Sequence, residues 1–582
     1  MFTKVLVANR GEIAVRVFRA LSELGIASVA VYSDPDRSGA HTAYADEAWA
    51  LGGRSAAESY LDVAKVLEAA RRSGAQAIHP GYGFLAESAS FARAVEDAGL
   101  VWVGPPPAAI ELMGSKTAAR ARMQEAGVPI IPGTTEPVAS PGEVVALGEE
   151  IGYPLVVKAA AGGGGKGMKV VTSPDDVVSA YESAQREGQA YFADPTVYVE
   201  RYLEDPRHVE VQVLADAHGD VIHLGERDCT IQRRHQKLVE ETPSPAVSPE
   251  LRKRIGQIAV DAARAAGYRS AGTIEGLLAP DGAYFFMEMN TRIQVEHTVT
   301  ELVTGVDLVR EQVLIAAGEP LSLRQADVVL RGHAIECRIN AEDPSTGFLP
   351  SPGRITSYRE PSGPGVRVDS GVAAGSDVTT LYDPLIAKLI VCDVDREHAR
   401  RRMLRALAEF EIGGIKTLVG FHRALLSHAS FVAAETCRGL VESEALAEEA
   451  EQFSHQATKT IAGVPDGALA EQATVVELDG QRVEVKVFQP EPGYRGLARK
   501  RRTRDVAIAS GQAEAVVSPM QGTVLEVRVA DGDEVAAGNV ICIVEAMKME
   551  NEIVAHHAGV IEALSVTTGA PVASGQTICL VV

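Results

Sequence analysis

The chain has 582 residues, of which 46% are hydrophobic and 23% are charged, and its formal net charge is −22. This length allows roughly four domain-sized units, and the balanced composition is typical of a globular protein. The negative charge argues against nucleic acid or an anionic membrane as the main partner, and no apolar run is long enough to span a bilayer.

The six cysteines are scattered along the chain and include no Cys-x-x-Cys pair. This pattern argues against a disulfide framework and against a zinc site. The first residues also lack the long apolar core of a secretory signal. We therefore expect a soluble, cytoplasmic protein.

The N-terminal region has the pattern of alternating strands and helices. We predict a buried strand from Lys4 to Ala8, a helix that ends near Gly25 and a second strand from Ile26 to Tyr32. The turn after the first strand lacks the Gly-x-Gly-x-x-Gly pattern, which argues against a dinucleotide site. A further strand leads into the glycine-rich turn that ends at Gly83. These features predict a doubly wound α/β domain.

A glycine-rich segment follows a predicted strand that ends at Lys158. Four successive glycines, residues 162–165, precede Lys166. Backbone N–H groups approach phosphate oxygens closely where no Cβ intervenes, although a tetraglycine also occurs in flexible linkers. The spacing differs from that of a P-loop. Because strands flank the segment and two lysines accompany it, we predict a hairpin that closes over a nucleoside triphosphate.

Two glutamates and an asparagine indicate a metal site. The turn at residues 279–282 joins two apolar strands, and a simple hairpin would place Glu275 opposite Phe286. The two-residue period of the strands then puts Glu275, Glu288 and Asn290 on one face. Such oxygen ligands suit Mg²⁺ bound to phosphates. The alternative is an ordinary acidic face of an exposed strand.

The segment after these strands offers groups for an anion and a proton. Arg292, Gln294 and Glu296 share one face if the strand-like alternation continues. They would supply a cation, a polar positioning group and a candidate base.

Two other segments carry charges with more than one interpretation. Residues 226–237 are dense in polar and cationic groups, which suits either a surface loop or the neutralisation of phosphate charge. Arg338 lies in an apparently buried strand, where it could form a structural salt bridge or stabilise an oxyanion.

The C-terminal region contains an internal repeat. Three glycines, Gly522, Gly532 and Gly538, recur after the same number of residues as Gly559, Gly569 and Gly575. Two copies of one strand–turn–strand unit predict a small, pseudo-symmetric flattened barrel. Lys548 lies between two methionines at the junction of the copies, where a hairpin tip would expose it.

This repeat with its Ala-Met-Lys-Met segment resembles the biotinyl domain of biotin-dependent carboxylases. The resemblance implies that Lys548 carries biotin through an amide bond. Lipoyl domains share the fold but lack methionines on both sides of the lysine, so lipoate is the lesser alternative. The segment departs from the family at Gln521, where a second proline is usual, and a looser turn is the expected effect.

Residues 4 to about 440 resemble biotin carboxylase, a member of the ATP-grasp group. The matching segments follow one another along most of the chain: residues 7–13, 79–85, 113–116, 162–165, 232–237, 288–297 and 336–343. The resemblance implies an α/β fold with five regions: an N-terminal doubly wound domain at 1–112, an ATP-grasp domain at 113–325, an α+β C-terminal carboxylase domain at 326–446, a linker with a short β-hairpin at 447–513 and an all-β biotinyl carrier domain at 514–582.

The resemblance also implies which residues bind the nucleotide and the metal. The implied ATP contacts are Lys116, Lys158, Gly163, Gly164, Gly165, Lys166, Gly167, Glu200, His208, Gln232 and His235. Mg²⁺ or Mn²⁺ would be bound by Glu275 and Glu288, with Asn290 beside them.

The remaining implied roles concern bicarbonate and the chemical steps. Arg292, Gln294 and the backbone of Val295 would hold bicarbonate, and Glu296 would deprotonate it. Lys237 would stabilise carboxyphosphate, and Arg338 would stabilise the enolate of biotin.

No region is left for a carboxyltransferase, so the chain resembles the α subunit of acetyl- or propionyl-coenzyme A carboxylases. This implies a separate carboxyltransferase β subunit, a biotin protein ligase and a homo-oligomer within a larger complex. The biotin-presenting subunit of another acyl-coenzyme A or pyruvate carboxylase is the alternative, and an inactive ATP-grasp scaffold is a rival. The basic run from Arg495 to Arg504 is either a solvated part of the linker or a docking segment for the partner.

Overall fold

The computed structural model describes residues 1–134, 136–159, 168–192, 194–455, 469–478, 481–490, 515–546 and 549–582. The chain divides into two compact units, Met1–His455 and Gln456–Val582. Among the described residues, no helix has the length and apolar character needed to cross a membrane. All six cysteines are free.

The N-terminal region forms a five-stranded parallel sheet with the order β3-β2-β1-β4-β5. Val5 and Val7 pack into one hydrophobic core and Leu6 into another, so the central strand is buried on both faces. The predicted doubly wound domain is confirmed. Its strands are β1 (Lys4–Val7), β2 (Ala27–Tyr32), β3 (Glu47–Ala50), β4 (Ala77–His79) and β5 (Val101–Trp102), and its helices are α1 (Gly11–Glu23), α2 (Ala40–Tyr44), α3 (Val63–Ser73), α4 (Ala89–Asp97) and α5 (Pro107–Gly114).

A separate three-stranded antiparallel sheet with the order β7-β6-β8 follows. Its elements are α6 (Lys116–Glu125), α7 (Pro141–Ile151), β6 (Leu155–Ala159), β7 (Met168–Val171), α8 (Val177–Phe192) and β8 (Val197–Arg201). The predicted nucleotide contacts Gly163, Gly164, Gly165, Lys166 and Gly167 lie outside the described residues.

The large sheet of the first unit has eight antiparallel strands, which belong to both the predicted ATP-grasp and C-terminal carboxylase regions. Its order is β13-β12-β9-β10-β11-β14-β21-β19. The strands of this part are β9 (Arg207–Ala215), β10 (Val221–Arg233), β11 (Gln236–Thr242), β12 (Ser270–Leu278), β13 (Tyr284–Asn290), β14 (His333–Asn340), β15 (Glu342–Asp343), β16 (Leu349–Pro350), β17 (Gly353–Arg354), β18 (Ser357–Arg359), β19 (Val366–Ser370), β20 (Asp377–Val378), β21 (Leu385–Asp393) and β22 (Glu411–Gly413).

Helices cover this sheet and close the first unit at His455. They are α9 (Pro249–Ala265), α10 (His297–Thr304), α11 (Leu308–Ala316), α12 (Arg396–Glu409), α13 (Val419–Ser427), α14 (Ala429–Val432), α15 (Arg438–Val441) and α16 (Glu444–His455), with short 3-10 turns at Pro174–Asp176, Gln325–Asp327 and Pro344–Thr346. Ala450 of α16 is buried in the core beneath the sheet, so the unit continues past residue 446. The domain boundaries given above stay a prediction.

Alternation along β9 explains how one strand serves both a core and a polar face. Three valines pack into the hydrophobic core with α9: Val209, Val211 and Val213. The residues that alternate with these valines face the other way: His208, Glu210 and Gln212. Burial of each apolar side chain contributes about 1.5–3 kcal/mol, which offsets the cost of holding charges on the opposite face.

The predicted register of the β12–β13 hairpin is wrong. Glu275 pairs with Glu288, not with Phe286, because a β-bulge between Glu275 and Gly276 shifts the pairing. The prediction that Glu275, Glu288 and Asn290 share a face still agrees with the structure, since residues directly opposite on paired strands project to the same side.

The first described elements of the second unit form a hairpin of β23 (Leu469–Leu478) and β24 (Gln481–Pro490), in the region predicted to be a linker with a short β-hairpin. The turn itself lies outside the described residues, as does the basic run from Arg495 to Arg504.

The C-terminal strands form two four-stranded sheets with the orders β25-β32-β30-β27 and β29-β28-β26-β31. These strands are β25 (Ala515–Val517), β26 (Gly522–Val527), β27 (Glu534–Val535), β28 (Val540–Ala546), β29 (Met549–Val554), β30 (Gly559–Glu562), β31 (Pro571–Val572) and β32 (Thr577–Val581). Each strand of one sheet has its repeat-related counterpart in the other. The predicted pseudo-symmetric all-β domain is confirmed.

Lys548 lies outside the described residues, between the end of β28 and the start of β29. The flanking residues Ala546 and Met549 are directly paired, so residues 547–548 join the two strands of this hairpin.

Candidate active site

Lys237 is the centre of a buried cluster of charges. Its Nζ donates to Glu210 at 2.6 Å, to Glu275 at 2.8 Å and to Glu296 at 2.6 Å. Glu210 and Glu275 are paired residues of neighbouring strands, which places both carboxylates on one face of the large sheet. Burial alone would lower the pKa of Lys237, but the three carboxylates outweigh it and raise the pKa well above its usual value.

Glu296 lies between two cations. Lys237 contacts one carboxylate oxygen, and Arg338 Nη2 donates to the other at 3.0 Å. Burial would raise the pKa of Glu296, but Lys237, Arg338 and Arg227 outweigh it and lower the pKa below its usual value. The carboxylate is therefore ionised at neutral pH and able to accept a proton.

The alternation predicted for residues 292–296 does not continue. Strand β13 ends at Asn290, and the chain turns before Glu296, which immediately precedes helix α10. Arg292 reaches Glu87 of the N-terminal region at 2.9 Å, whereas Gln294 Nε2 donates to Glu275 at 2.6 Å. A turn, and not a strand face, thus brings Gln294 and Glu296 to the same cluster.

The predicted metal ligands lie next to this cluster. Glu275 and Glu288 are directly opposite each other, and Asn290 Oδ1 accepts from Arg292 Nη2 at 3.0 Å. Burial and the charge of Glu275 raise the pKa of Glu288, whereas the pKa of Glu275 is lowered well below its usual value because Lys237 and His208 outweigh burial. Two facing carboxylates with opposed shifts fit a divalent cation, which would relieve their repulsion.

Two of the predicted nucleotide contacts, His208 and Gln232, adjoin this cluster. His208 Nε2 lies 3.1 Å from Glu275 Oε2, and its Nδ1 lies 3.1 Å from Gln232 Nε2. His235 lies in the exposed turn of the β10–β11 hairpin, where its φ is 65°.

Three other predicted nucleotide contacts lie on or beside the three-stranded sheet: Lys116, Lys158 and Glu200. Lys158 at the end of β6 donates to Glu200 of β8 at 2.5 Å, and buried Arg120 pairs with the other Glu200 oxygen. Lys116 begins helix α6, and burial lowers its pKa although the nearby charge of Glu288 acts in the opposite direction.

Four family models match the chain. They are described as "Biotin carboxylase, N-terminal domain" at residues 1–110, "Carbamoyl-phosphate synthase L chain, ATP binding domain" at 115–324, "Biotin carboxylase C-terminal domain" at 336–443 and "Biotin-requiring enzyme" at 514–581. The chain is 46% identical over 580 residues to the biotin-dependent acyl-coenzyme A carboxylase alpha3 subunit of Mycobacterium leprae, a match that covers 97% of this chain and 96% of the relative. The chain belongs to the family of biotin-dependent acyl-coenzyme A carboxylase alpha subunits.

Two further comparisons each cover about three quarters of this chain. A pyruvate carboxylase subunit of Methanothermobacter thermautotrophicus is 54% identical over 431 residues, which cover 74% of this chain and 88% of the relative. The biotin carboxylase domain dimer of the Hydrogenobacter thermophilus 2-oxoglutarate carboxylase, solved with MgADP, ADP and bicarbonate, has a TM-score of 0.72 and 45% identity and covers 79% of this chain and 99% of that one.

In this carboxylase subunit, sequence reasoning missed three buried residues of the cluster. Arg227 is fully buried, and its guanidinium donates to side-chain oxygens of Glu210, Gln212, Thr273, Gln294 and Thr300. Glu240 accepts from Arg338 Nε at 2.6 Å, and burial raises the pKa of Glu240 to about 7 although Arg338 opposes this. The available signal for Glu210 was the alternation of polar residues with valines along β9, and the signal for Arg227 was its place between Glu226 and Asp228 in the charged segment at residues 226–237.

Proposed function

We propose that the chain catalyses the first half-reaction of an acetyl- or propionyl-coenzyme A carboxylase. In this reaction, bicarbonate and ATP carboxylate biotin that is carried on Lys548. The observation that supports this proposal best is the position of Glu296, an ionised carboxylate held by Lys237 and Arg338 beside the facing pair of Glu275 and Glu288.

Deprotonation of bicarbonate is the first task of the site. Bicarbonate becomes an effective nucleophile when it loses its second proton, and Glu296 is the base that accepts it. Because the pKa of Glu296 is lowered, the transfer depends on cations that stabilise the resulting dianion, and Arg292 and Lys237 supply that charge. Gln294 orients the anion, and its amide is itself fixed between Arg227 and Glu275.

Phosphoryl transfer to the oxygen of bicarbonate then gives carboxyphosphate and ADP. Such transfer relies on position and electrostatic stabilisation. Lys116 and Lys158 would bind the phosphates of ATP, and Lys237 would stabilise carboxyphosphate. Glu275, Glu288 and Asn290 would hold a magnesium ion, which neutralises phosphate charge when bound.

Carboxyphosphate releases CO₂ and phosphate, and Arg338 is placed to stabilise negative charge beside Glu296. The released phosphate takes the proton from the ureido N1 of biotin on Lys548, and that nitrogen then attacks CO₂, so an N–C bond replaces the N–H bond. In the sequence, Lys548 lies between Ala546 and Met549, which pair with each other, and this position supports its role as the attachment point of a prosthetic group.

The partners follow from this division of labour. The α-subunit family implies a carboxyltransferase that takes the carboxyl group from biotin, and we infer an acetyl- or propionyl-coenzyme A acceptor on that subunit. We also infer a biotin protein ligase that modifies Lys548, and a homo-oligomer of the kind named for the Hydrogenobacter domain dimer.

Two other functions are less well supported. The pyruvate carboxylase relative matches 74% of this chain, whereas the acyl-coenzyme A carboxylase relative matches 97% of it. An inactive scaffold would not need an ionised base and two facing metal ligands in one buried cluster.

The test is phosphate release by the purified full chain. With ATP, Mg²⁺, bicarbonate and free biotin, we expect phosphate release that depends on bicarbonate and the appearance of carboxybiotin. A biotinylated chain without bicarbonate-dependent phosphate release would refute the enzyme function and favour the scaffold. Co-purification of the β subunit from the native source, followed by assays with different acyl-coenzyme A substrates, would identify the acceptor.

A further inference from the structure

Lys388 is a buried cation on the far side of the turn that carries the proposed base. It is the one charged residue within the apolar run Leu385–Cys392 of β21, and its side chain is 0% exposed. Its Nζ donates to the backbone carbonyl of Val295 at 2.9 Å. A lysine that loses all contact with water needs strong partners, and one of them is the main chain of the proposed bicarbonate site.

The carbonyl of Val295 belongs to the peptide group that ends in the N–H of Glu296. A hydrogen bond to this carbonyl therefore fixes the plane of the peptide that joins the two residues. On the other side of the turn, His297 Nδ1 lies 2.7 Å from the carbonyl oxygen of Gln294. The turn is thus held at two successive carbonyls. His297 belongs to the adjoining helix α10, whereas Lys388 reaches the turn from the distant strand β21.

The carboxylates around Lys388 keep it charged. Glu12 of α1 lies 3.3 Å from Nζ, and Asp369 of β19 lies 3.9 Å away. Burial alone would lower the pKa of Lys388, but Glu12, Glu336 and Asp369 outweigh it and raise the pKa. A charged donor makes a stronger hydrogen bond to a carbonyl than a neutral one, so the contact suits a position that must not move.

Glu12 and Asp369 depend on Lys388 to different degrees. Asp369 accepts two hydrogen bonds from Arg367, at 2.9 and 2.7 Å, and so keeps a cation if Lys388 is removed. Glu12 has Lys388 as its nearest cation among the ion pairs of the described residues. Burial raises the pKa of Glu12 to about 7, although Lys388 opposes this shift. Replacement of Glu12 by glutamine should therefore be tolerated.

We propose that Lys388 is a positioning residue for bicarbonate, which orients the Val295–Glu296 peptide through the Val295 carbonyl. This proposal rests on the proposed function, because it assigns bicarbonate to the turn that Lys388 supports. Loss of the contact lets the peptide and the Glu296 carboxylate reorient, so it weakens bicarbonate binding and slows proton transfer. The proposed ATP contacts among the described residues lie on elements other than β21, so we expect ATP binding to be unaffected.

The experiment compares three variants of the full chain: E12Q, K388M and the double variant K388M/E12Q. E12Q keeps the lysine donor and is the matched control. K388M removes the donor and leaves Glu12 without its cation. The double variant lacks the donor but restores the balance of charge, so it separates the hydrogen bond to Val295 from the pairing with Glu12. The measurements are KM for bicarbonate, KM for ATP, the maximal rate of phosphate release and the melting temperature.

We expect E12Q to keep a bicarbonate KM within about twofold of that of the wild type. The double variant should melt near the wild-type temperature and still show a bicarbonate KM raised about tenfold, with the KM for ATP changed less than twofold. Tenfold corresponds to about 1.4 kcal/mol, within the range of one hydrogen bond to a charged group.

Recovery of the bicarbonate KM together with stability in the double variant would overturn the proposal, because Lys388 would then serve only to neutralise Glu12. Failure of the double variant to fold would overturn it too, since it would show a requirement for the fold and not for the turn. Equal increases in both KM values would also count against it. Absence of bicarbonate-dependent activity in the wild-type chain is a separate result, and it would refute the proposed function itself.

Discussion

The ammonium group of Lys237 lies 2.6 Å from one carboxylate oxygen of Glu296, inside a cluster in which both groups are shielded from water. The pair couples the proposed base to a cation that also holds two further carboxylates. Burial opposes both charges, but Glu210, Glu275 and Glu296 raise the pKa of Lys237, and its ammonium group with two arginines lowers the pKa of Glu296, so both groups stay charged over the physiological range. Bicarbonate thus meets a base and a stabilising charge that are in place beforehand, which is the arrangement that favours catalysis by preorganised electrostatics.

Replacement of this base tests the first chemical step. Glu296→Gln keeps the size of the side chain and removes its ability to take a proton from bicarbonate. General-base catalysis contributes on the order of 100-fold or more, so we expect a loss of bicarbonate-dependent phosphate release of at least about 100-fold. Nucleotide binding, measured by calorimetry, should persist. Glu319→Gln at an exposed position is the matched control, and wild-type activity in Glu296→Gln would contradict the assignment.

Replacement of a facing carboxylate tests the metal site. Glu288→Gln removes one proposed ligand without touching the hydrogen bonds of Lys237. We expect the magnesium concentration that gives half-maximal phosphate release to rise by at least about tenfold. Asp281→Asn, in the turn of the same hairpin, is the control and should leave the magnesium requirement unchanged. An equal magnesium requirement in both variants would count against metal binding at Glu288.

The stability of the first unit should depend on the protonation of His422. Burial lowers the pKa of this histidine to about 4, although its hydrogen bond to the Arg338 carbonyl, with Nε2 at 2.7 Å, acts in the opposite direction. The unfolded chain takes up this proton below about pH 6.5 and the folded chain only below about pH 4, so acidification through that window favours unfolding.

For His422→Gln, we therefore expect the free energy of unfolding to fall less between pH 7 and pH 5 than in the wild type, by about 2 kcal/mol. Chemical unfolding at the two pH values measures this difference. Burial also lowers the pKa of His41 to about 4, so His41→Gln tests the same effect at a second position. Parallel pH dependence in the wild type and both variants would contradict the inferred neutral histidines.

Replacement of Lys548 tests the carrier and separates it from the carboxylase. Lys548→Arg keeps the charge but removes the amine that biotin would modify. We expect mass spectrometry to find biotin on the wild-type C-terminal peptide and none on the variant. Phosphate release with free biotin should remain, because the proposed active site lies wholly within Met1–His455. Biotin at another lysine, or a lipoyl group on Lys548, would contradict the prediction.

Much of the fold could be predicted because it depends on local patterns. The apolar runs of β1 and β2 and the glycine turns that follow the first strands indicate an α/β sheet. The repeat of glycines predicts the two matched sheets of the second unit, and the repeat-related Gly532 and Gly569 both have a positive φ, 93° and 85°. Local periodicity is fixed by the chain itself, so it can be recognised without knowledge of any partner.

The register of β12 with β13 could not be predicted, because it depends on one bulge. A Cβ on Gly276 would lie 2.3 Å from the ring of Tyr284, so the bulge and the tyrosine fit together only where glycine is present. The length of the turn alone does not predict this contact or the bulge that accompanies it. The predicted pairing of Glu275 is wrong, but the prediction that Glu275 and Glu288 share a face agrees with the structure. The face of a residue follows from the alternation within its own strand.

The amino-acid sequence by itself determined the strands, the internal repeat and the segments that identify the family and its candidate residues. Only the tertiary structure decided how those residues meet. Glu210, Arg227 and Lys388 lie on three different strands of the large sheet, and each reaches the turn or its neighbours through contacts between residues far apart in the chain. The physical reason is that buried charges must find opposite charges or carbonyls wherever packing brings them, and that packing is set by the whole sheet and not by any one segment.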